Sequence, residues 1–146
     1  MKKARGFTLI EILIVIGIIA ILAAIVVVAI NPARQFAQAR NTQRQSNVET
    51  ILNAVGQNII DNKGIFTCAG VTITSATSSI GTSGADLGSC LVPTYIATGI
   101  PADPVGGTDA DTKYAISVDS LGRYMVCAPN AAEPAISGSE AYCLVR

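Results

Sequence analysis

With 146 residues, half of them hydrophobic, the chain has material for one modest domain plus an appendage. It contains no histidine, which excludes histidine-based catalytic triads and histidine-ligated zinc. Ten basic and ten acidic side chains sum to a formal charge of zero but are segregated, and the acidic stretch beyond Lys63 offers no footing for nucleic acid.

The leader carries Lys2, Lys3 and Arg5. An apolar run follows, Phe7–Ile30, made almost wholly of Ile, Val, Leu, Ala and Gly. It exceeds the roughly 20 helical residues needed to cross a bilayer core, so it reads as a transmembrane helix. Three bases precede it and none follows until Arg34, which places the N-terminus on the cytoplasmic side and exports the rest. A removable secretory signal is the competing reading. Its apolar core would be shorter, about 7–15 residues, and would end at a small-residue cleavage site. Here the run leads into "NPARQFAQAR".

Glu11 is the only charge inside the run. A carboxylate near the middle of a membrane helix costs on the order of 2.5–3.5 kcal/mol, less near an end where it can reach the headgroups. Interfacial snorkelling is one account of Glu11. Pairing is the other: a cut after Gly6 would create an α-amine at Phe7, mostly protonated at neutral pH.

The stretch "KKARGFTLIEILIVIGIIAILAAI" resembles the N-terminus of type IV prepilins and the related pseudopilins, over roughly residues 2–30. The resemblance lies in the basic leader, Gly6, Phe7, the acid at the fifth position after the cut, and the long apolar helix. It implies that a membrane aspartyl peptidase, the prepilin peptidase, cuts between Gly6 and Phe7 on the cytoplasmic face and methylates the Phe7 amine. It implies also that Glu11 neutralises the Phe7 amine of a neighbouring subunit in a helical filament. The implied fold is α+β: a long N-terminal helix, half transmembrane and half amphipathic, packed on a small antiparallel β-sheet head. The chain departs from many pilins in delaying its first proline to Pro32. Two readings of Pro32 stand open, a helix kink near 30–32 or the first-turn residue of a second helix capped by Asn31.

Beyond Pro32, Val48, Ile51, Leu52, Val55 and Ile59 recur at three- and four-residue spacing, an apolar stripe covering a small domain. The opposite side is assigned Arg40, Gln43, Arg44 and Gln57, and Gly64 marks the stop. A helix from Phe7 to Asn62 would run roughly 84 Å at ~1.5 Å per residue. The expected organisation is a leader (1–6), a membrane or filament-core helix (7–30), its amphipathic continuation (31–63) and a β-rich head (64–146). Within the head, the Ser/Thr/Gly-rich segment 67–90 reads as an exposed loop with a short strand at Val71–Thr74; a variable filament surface and an O-glycosylation tract are the functional alternatives. Strands are expected at 113–118, 123–128 and 141–145, the first two joined by the turn-like "DSLG".

Cys68, Cys90, Cys127 and Cys143 match no close metal-binding spacing and read as a disulfide framework, hence an oxidising compartment. Local pairing, Cys68–Cys90 and Cys127–Cys143, is expected, the second closing a C-terminal loop of the sort type IV pilins possess. A crossed pattern is the alternative. The sequence "PADPVGGTDADTKY" gathers Asp103, Asp109 and Asp111 around two glycines. It resembles the calcium-binding loop of the major pseudopilins, and it is also what turns require, so a weak calcium site and a plain turn both stand open. No other cofactor is expected.

No nucleophile–base pair stands out, so no enzyme is expected. The resemblance implies a structural subunit stored in the inner membrane, then polymerised with itself by an inner-membrane platform and assembly ATPase. The product would be an extracellular type IV pilus serving adhesion, motility or DNA uptake, or the periplasmic pseudopilus of a type II secretion system. A single-pass anchored binding domain that never polymerises is a further reading, and a soluble secreted enzyme, which would require loss of residues 1–30, is the last. Arg34, Arg40 and Arg44, set against acidic head surface of a neighbouring subunit, would make the filament fragile at high salt.

Overall fold

The computed structural model describes residues 6–146; the basic residues Lys2, Lys3 and Arg5, which carry the orientation argument, lie outside that range. The chain is α+β. Helices α1 (Leu9–Ile30) and α2 (Pro32–Asp61) precede an antiparallel sheet of β1 (Ser78–Ser79), β2 (Ala115–Val118), β3 (Tyr124–Ala128) and β4 (Tyr142–Val145), with a one-turn helix α3 (Gly88–Leu91) between β1 and β2. The chain divides into two compact units, one ending at Phe36 and the other Ala37–Arg146.

α1 is apolar on every side and buries none of its residues within the chain. Ile and Val are mediocre helix formers in water. In hydrocarbon the balance changes, because no solvent competes for the backbone and a helix satisfies every N–H and C=O within the segment. By length and composition this one helix is able to cross a membrane.

The expected single helix is interrupted at one residue. Pro32 has no N–H to donate and disfavours right-handed helical geometry at the residue before it. Asn31 accordingly takes the left-handed region (φ 46, ψ 80), which Asn enters at less cost than most residues. It ends α1 and begins α2: its carbonyl accepts the amides of Arg34 (3.1 Å) and Gln35 (3.4 Å), and its side-chain oxygen accepts Arg34 N–H at 3.4 Å. Pro32 is thus the first residue of a new helix.

In the second unit, Val48, Ile51, Leu52, Ala54 and Val55 of α2 are buried in one core with Ile80, Leu87 and Leu91 and with the sheet residues Ile116, Val126 and Ala128. Asn58 continues the buried face and clamps the exit loop, donating to the Thr67 carbonyl (3.1 Å) and accepting Thr67 N–H (2.9 Å). After Asp61 the chain leaves through two left-handed residues, Lys63 and Gly64, and Gly64 N–H returns to the Ile59 carbonyl at 2.8 Å.

The sheet order β1-β2-β3-β4 is a meander, with Ile116 opposite Val126 and Val126 opposite Leu144. The strand expected at Val71–Thr74 is absent; Ser78–Ser79 pairs with β2 instead, and only the Thr74 carbonyl reaches the sheet, accepting Val118 N–H. Disulfides join Cys68 to Cys90 and Cys127 to Cys143, the latter across directly opposed positions of β3 and β4.

Candidate functional site

The start of α1 is built around Thr8 and Glu11. Thr8 has an extended backbone, and its hydroxyl accepts the Glu11 amide at 3.3 Å. In return the Glu11 carboxylate accepts from the Thr8 amide (3.0 Å) and from the Thr8 hydroxyl (3.0 Å). This is a capping box, which satisfies helix N–H groups that have no partner one turn upstream. Its first consequence is structural, since it fixes where α1 begins. Its second is chemical. Glu11 is exposed, like every residue around it from Gly6 to Leu13, yet its charge is held by two neutral donors from its own chain. Among the described residues it forms no salt bridge that a further cation would have to break.

The residues before the helix, Gly6, Phe7 and Thr8, lie outside regular structure and are exposed, Phe7 by 83%. A protease needs such an extended, accessible segment at its scissile bond. Residues 1–27 match the family described as the prokaryotic N-terminal methylation motif. The chain carries a prepilin signal. That signal belongs to type IV pilins and pseudopilins, and together with α1 it fits a membrane-anchored prepilin precursor. The chain matches no curated protein and no solved structure.

The second cluster of charged residues in the chain lies where α2 enters the head. The Arg44 guanidinium meets Asp103 through two bonds, Nε to Oδ2 at 2.7 Å and Nη2 to Oδ1 at 3.1 Å. Its Nη1 donates to Glu133 (2.6 Å) and to Asn41 (2.8 Å). Arg40 grips the same Glu133 through Nε (2.7 Å) and Nη2 (2.8 Å). The Arg44 and Asp103 side chains are only 2% and 0% exposed. Every partner is thus charge-assisted, as burial of an ion demands. Arg40 and then Arg44 hold the Glu133 carboxyl down at about 2. Burial pushes Asp103 upward, but the Arg44 bonds and the Val105 amide outweigh it, and its carboxyl lies below the ordinary range.

Two expectations are corrected here. Arg44 is not on the solvent side of α2 but in its buried face, and Arg40 and Arg44 spend their charge on acids of their own head. Arg34 alone of the three makes no ion pair among the described residues.

The three aspartates considered for calcium are not brought together. Asp103 is committed to Arg44; Asp111 is bound by Lys113 Nζ (2.6 Å), Lys113 N–H (3.0 Å) and the Ser79 hydroxyl (2.8 Å); Asp109 contributes its carbonyl to the Thr82 amide. Lys113 holds the Asp111 carboxyl at about 2. Among the described residues no cluster of three or more His, Cys, Asp or Glu is positioned to hold a metal.

Thr8, and the joining of Arg40, Arg44, Asp103 and Glu133 into one ion network, are what the linear reading passed over. The first was legible, because Thr8-x-x-Glu11 is the capping-box spacing. The second had a partial signal: Arg44 stands four residues before Val48, on the same helical stripe.

Proposed function

We propose that this prepilin is cut between Gly6 and Phe7, methylated on the Phe7 amine, and polymerised with itself into a type IV pilus. The observation that carries the reading is α1: a prepilin signal followed by a helix whose entire circumference is apolar and uncovered, with one carboxylate at its start. Such a helix is stable in only two surroundings, a bilayer or a bundle of like helices. A filament core supplies the second.

Glu11 directs passage between them. In the membrane the Thr8 cap holds its charge, and on assembly the Phe7 ammonium of the neighbouring subunit becomes its counter-ion. A neutral donor set is thereby supplemented by an opposite charge in low dielectric, where the attraction is strong. The membrane-stored subunit has its N-terminus cytoplasmic and its head outside, where the two disulfides form. The Cys68–Cys90 staple and the exposed Ser/Thr segment favour a pilus over a secretion pseudopilus, as does the commitment of Asp103 to Arg44. Assembly calls for an inner-membrane platform and its ATPase.

The test has two parts. The mass of the purified mature chain is expected to start at methylated Phe7. Glu11→Gln is expected to insert into membrane at the normal level and to yield little filament. Ordered fibres built from chains that still begin at Met1 would overturn the proposal, as would normal fibre yield from Glu11→Gln. Fibres visible on the cell surface separate a pilus from a pseudopilus.

A further inference from the structure

The tip of the β2–β3 hairpin carries an apolar side chain that its own chain leaves uncovered. Leu121 is 76% exposed. The turn beneath it is held by Asp119, whose Oδ1 accepts the amides of Leu121 (2.9 Å) and Arg123 (2.9 Å) and whose Oδ2 accepts Arg123 Nε–H (2.7 Å). Gly122 supplies the left-handed residue the turn needs (φ 78), and its N–H closes on the Asp119 carbonyl at 3.0 Å. A lone surface leucine needs no explanation. This one sits at a turn tip, where polar residues and glycine are the rule, and on a backbone already fixed, so little freedom is lost if a partner covers it. Beside it the Arg123 side chain is 56% exposed.

The other end of β2 adjoins a cavity of about 230 Å³. Leu87, Val92 and Ile100 give it apolar walls, and Thr82, Thr112 and Asp109, the last a residue bearing a carboxylate, line it further. That carboxylate makes no hydrogen bond or ion pair among the described residues, whereas those of Asp103, Asp111 and Asp119 are all engaged. The register fixes the placement: Ser79 lies opposite Ala115, Ile80 N–H meets the Tyr114 carbonyl, and Thr112 N–H meets the Ile80 carbonyl. The hairpin tip begins only after Val118. Knob and hole therefore stand at opposite ends of one strand.

We infer that Leu121 of one subunit seats in this cavity on a second copy of the chain, with Arg123 facing Asp109. Apolar surface meets apolar surface, and a guanidinium meets a free carboxylate. A knob and a hole at two different places on the same chain make a heterologous contact, which propagates instead of closing into a dimer. So small a contact does not hold two free heads together. It adds to a filament because α1 packing already sets neighbouring heads at high effective concentration. The inference rests on the filament reading above.

The experiment places a photo-crosslinking amino acid at position 121 of the full-length chain, co-expressed with the unsubstituted chain so that filaments form in either case. Irradiated filaments are expected to give covalent dimers joined to the tryptic peptide 64–113, which bears the cavity. Normal filaments that crosslink elsewhere, or not at all, overturn the inference and leave the filament reading standing. Absence of filaments from the unsubstituted chain overturns the filament reading, and this inference with it. Separately, Leu121→Asp is expected to lower filament yield about tenfold while Leu121→Met retains it, the size expected for an interface anchor. The thermal midpoint of the monomer is expected to be unchanged in both variants. Unchanged yield from Leu121→Asp also overturns the inference.

Discussion

Thr8 and Glu11 are three residues apart and do two jobs with one set of hydrogen bonds. As a cap, the pair satisfies the first turn of α1; as an electrostatic device, it holds a carboxylate at a helix N-terminus, where the macrodipole also favours negative charge. The two jobs respond differently to substitution. Thr8→Val removes the hydroxyl that both accepts from Glu11 N–H and donates to its carboxylate. Loss of a cap costs about 0.5–2 kcal/mol, so amide exchange of Leu9–Glu11 in detergent is expected to quicken roughly tenfold. Thr8→Ser is expected to leave it unchanged. Equal exchange in all three chains would show that the cap carries no stability.

α2 enters the head through ions and continues along it through hydrocarbon. Ala37, Arg44, Val48, Ile51 and Val55 fall on one buried stripe, of which Arg44 is the charged member. Removing one partner of such a buried pair generally costs about 3–5 kcal/mol, because the other charge is left alone. The network also sets a pH dependence. Glu133 is held at about 2 in the folded chain, below its value of about 4.3 when unfolded. Its contribution is therefore fully present above about pH 4.3 and lost as pH falls toward 2, with Asp103 shifted in the same direction. The denaturation midpoint is expected to hold steady from pH 7 to about 5.5 and to fall between about pH 4.5 and 2. Asp111 titrates over the same range, but its pair with Lys113 is exposed and is screened by salt. The fall is expected to persist at high salt for this reason. A profile flat down to pH 2 would remove the network from the stability of the head.

At the scale of the whole molecule, each unit has its own deficit. The first unit has an apolar helix with no cover from its own chain, which ties its stability to lipid or to other copies. The second is a small domain whose strands are two to five residues long, and its core is correspondingly modest. Its disulfides span 22 and 16 residues and restrict the unfolded chain by about 3 kcal/mol each. Together that is comparable to the whole stability of a small domain. Reduction is expected to unfold the head by 37 °C, read as loss of the cooperative thermal transition. A head that melts at the same temperature with and without reductant would show that the core suffices alone.

The features read correctly from the linear sequence are those whose causes lie close together in it. α1 follows from one contiguous apolar run, β2 and β3 follow from short alternating segments joined by a turn, and β4 follows from a short segment of strand-forming residues. Helical hydrogen bonds, caps and side-chain alternation all act over a few residues, so a local window contains them. What needed the tertiary structure was decided through space. Arg44 finds Asp103 59 residues away and Glu133 89 away, and those acids make it a core residue instead of a surface one. The same contact takes Asp103 out of the acidic loop in which it looked free. β1 forms at Ser78–Ser79, where the neighbouring strand is within reach, and not at the more apolar Val71–Thr74. An ion is buried or exposed, and a strand paired or idle, according to what the fold sets beside it, and that neighbour is written elsewhere in the chain.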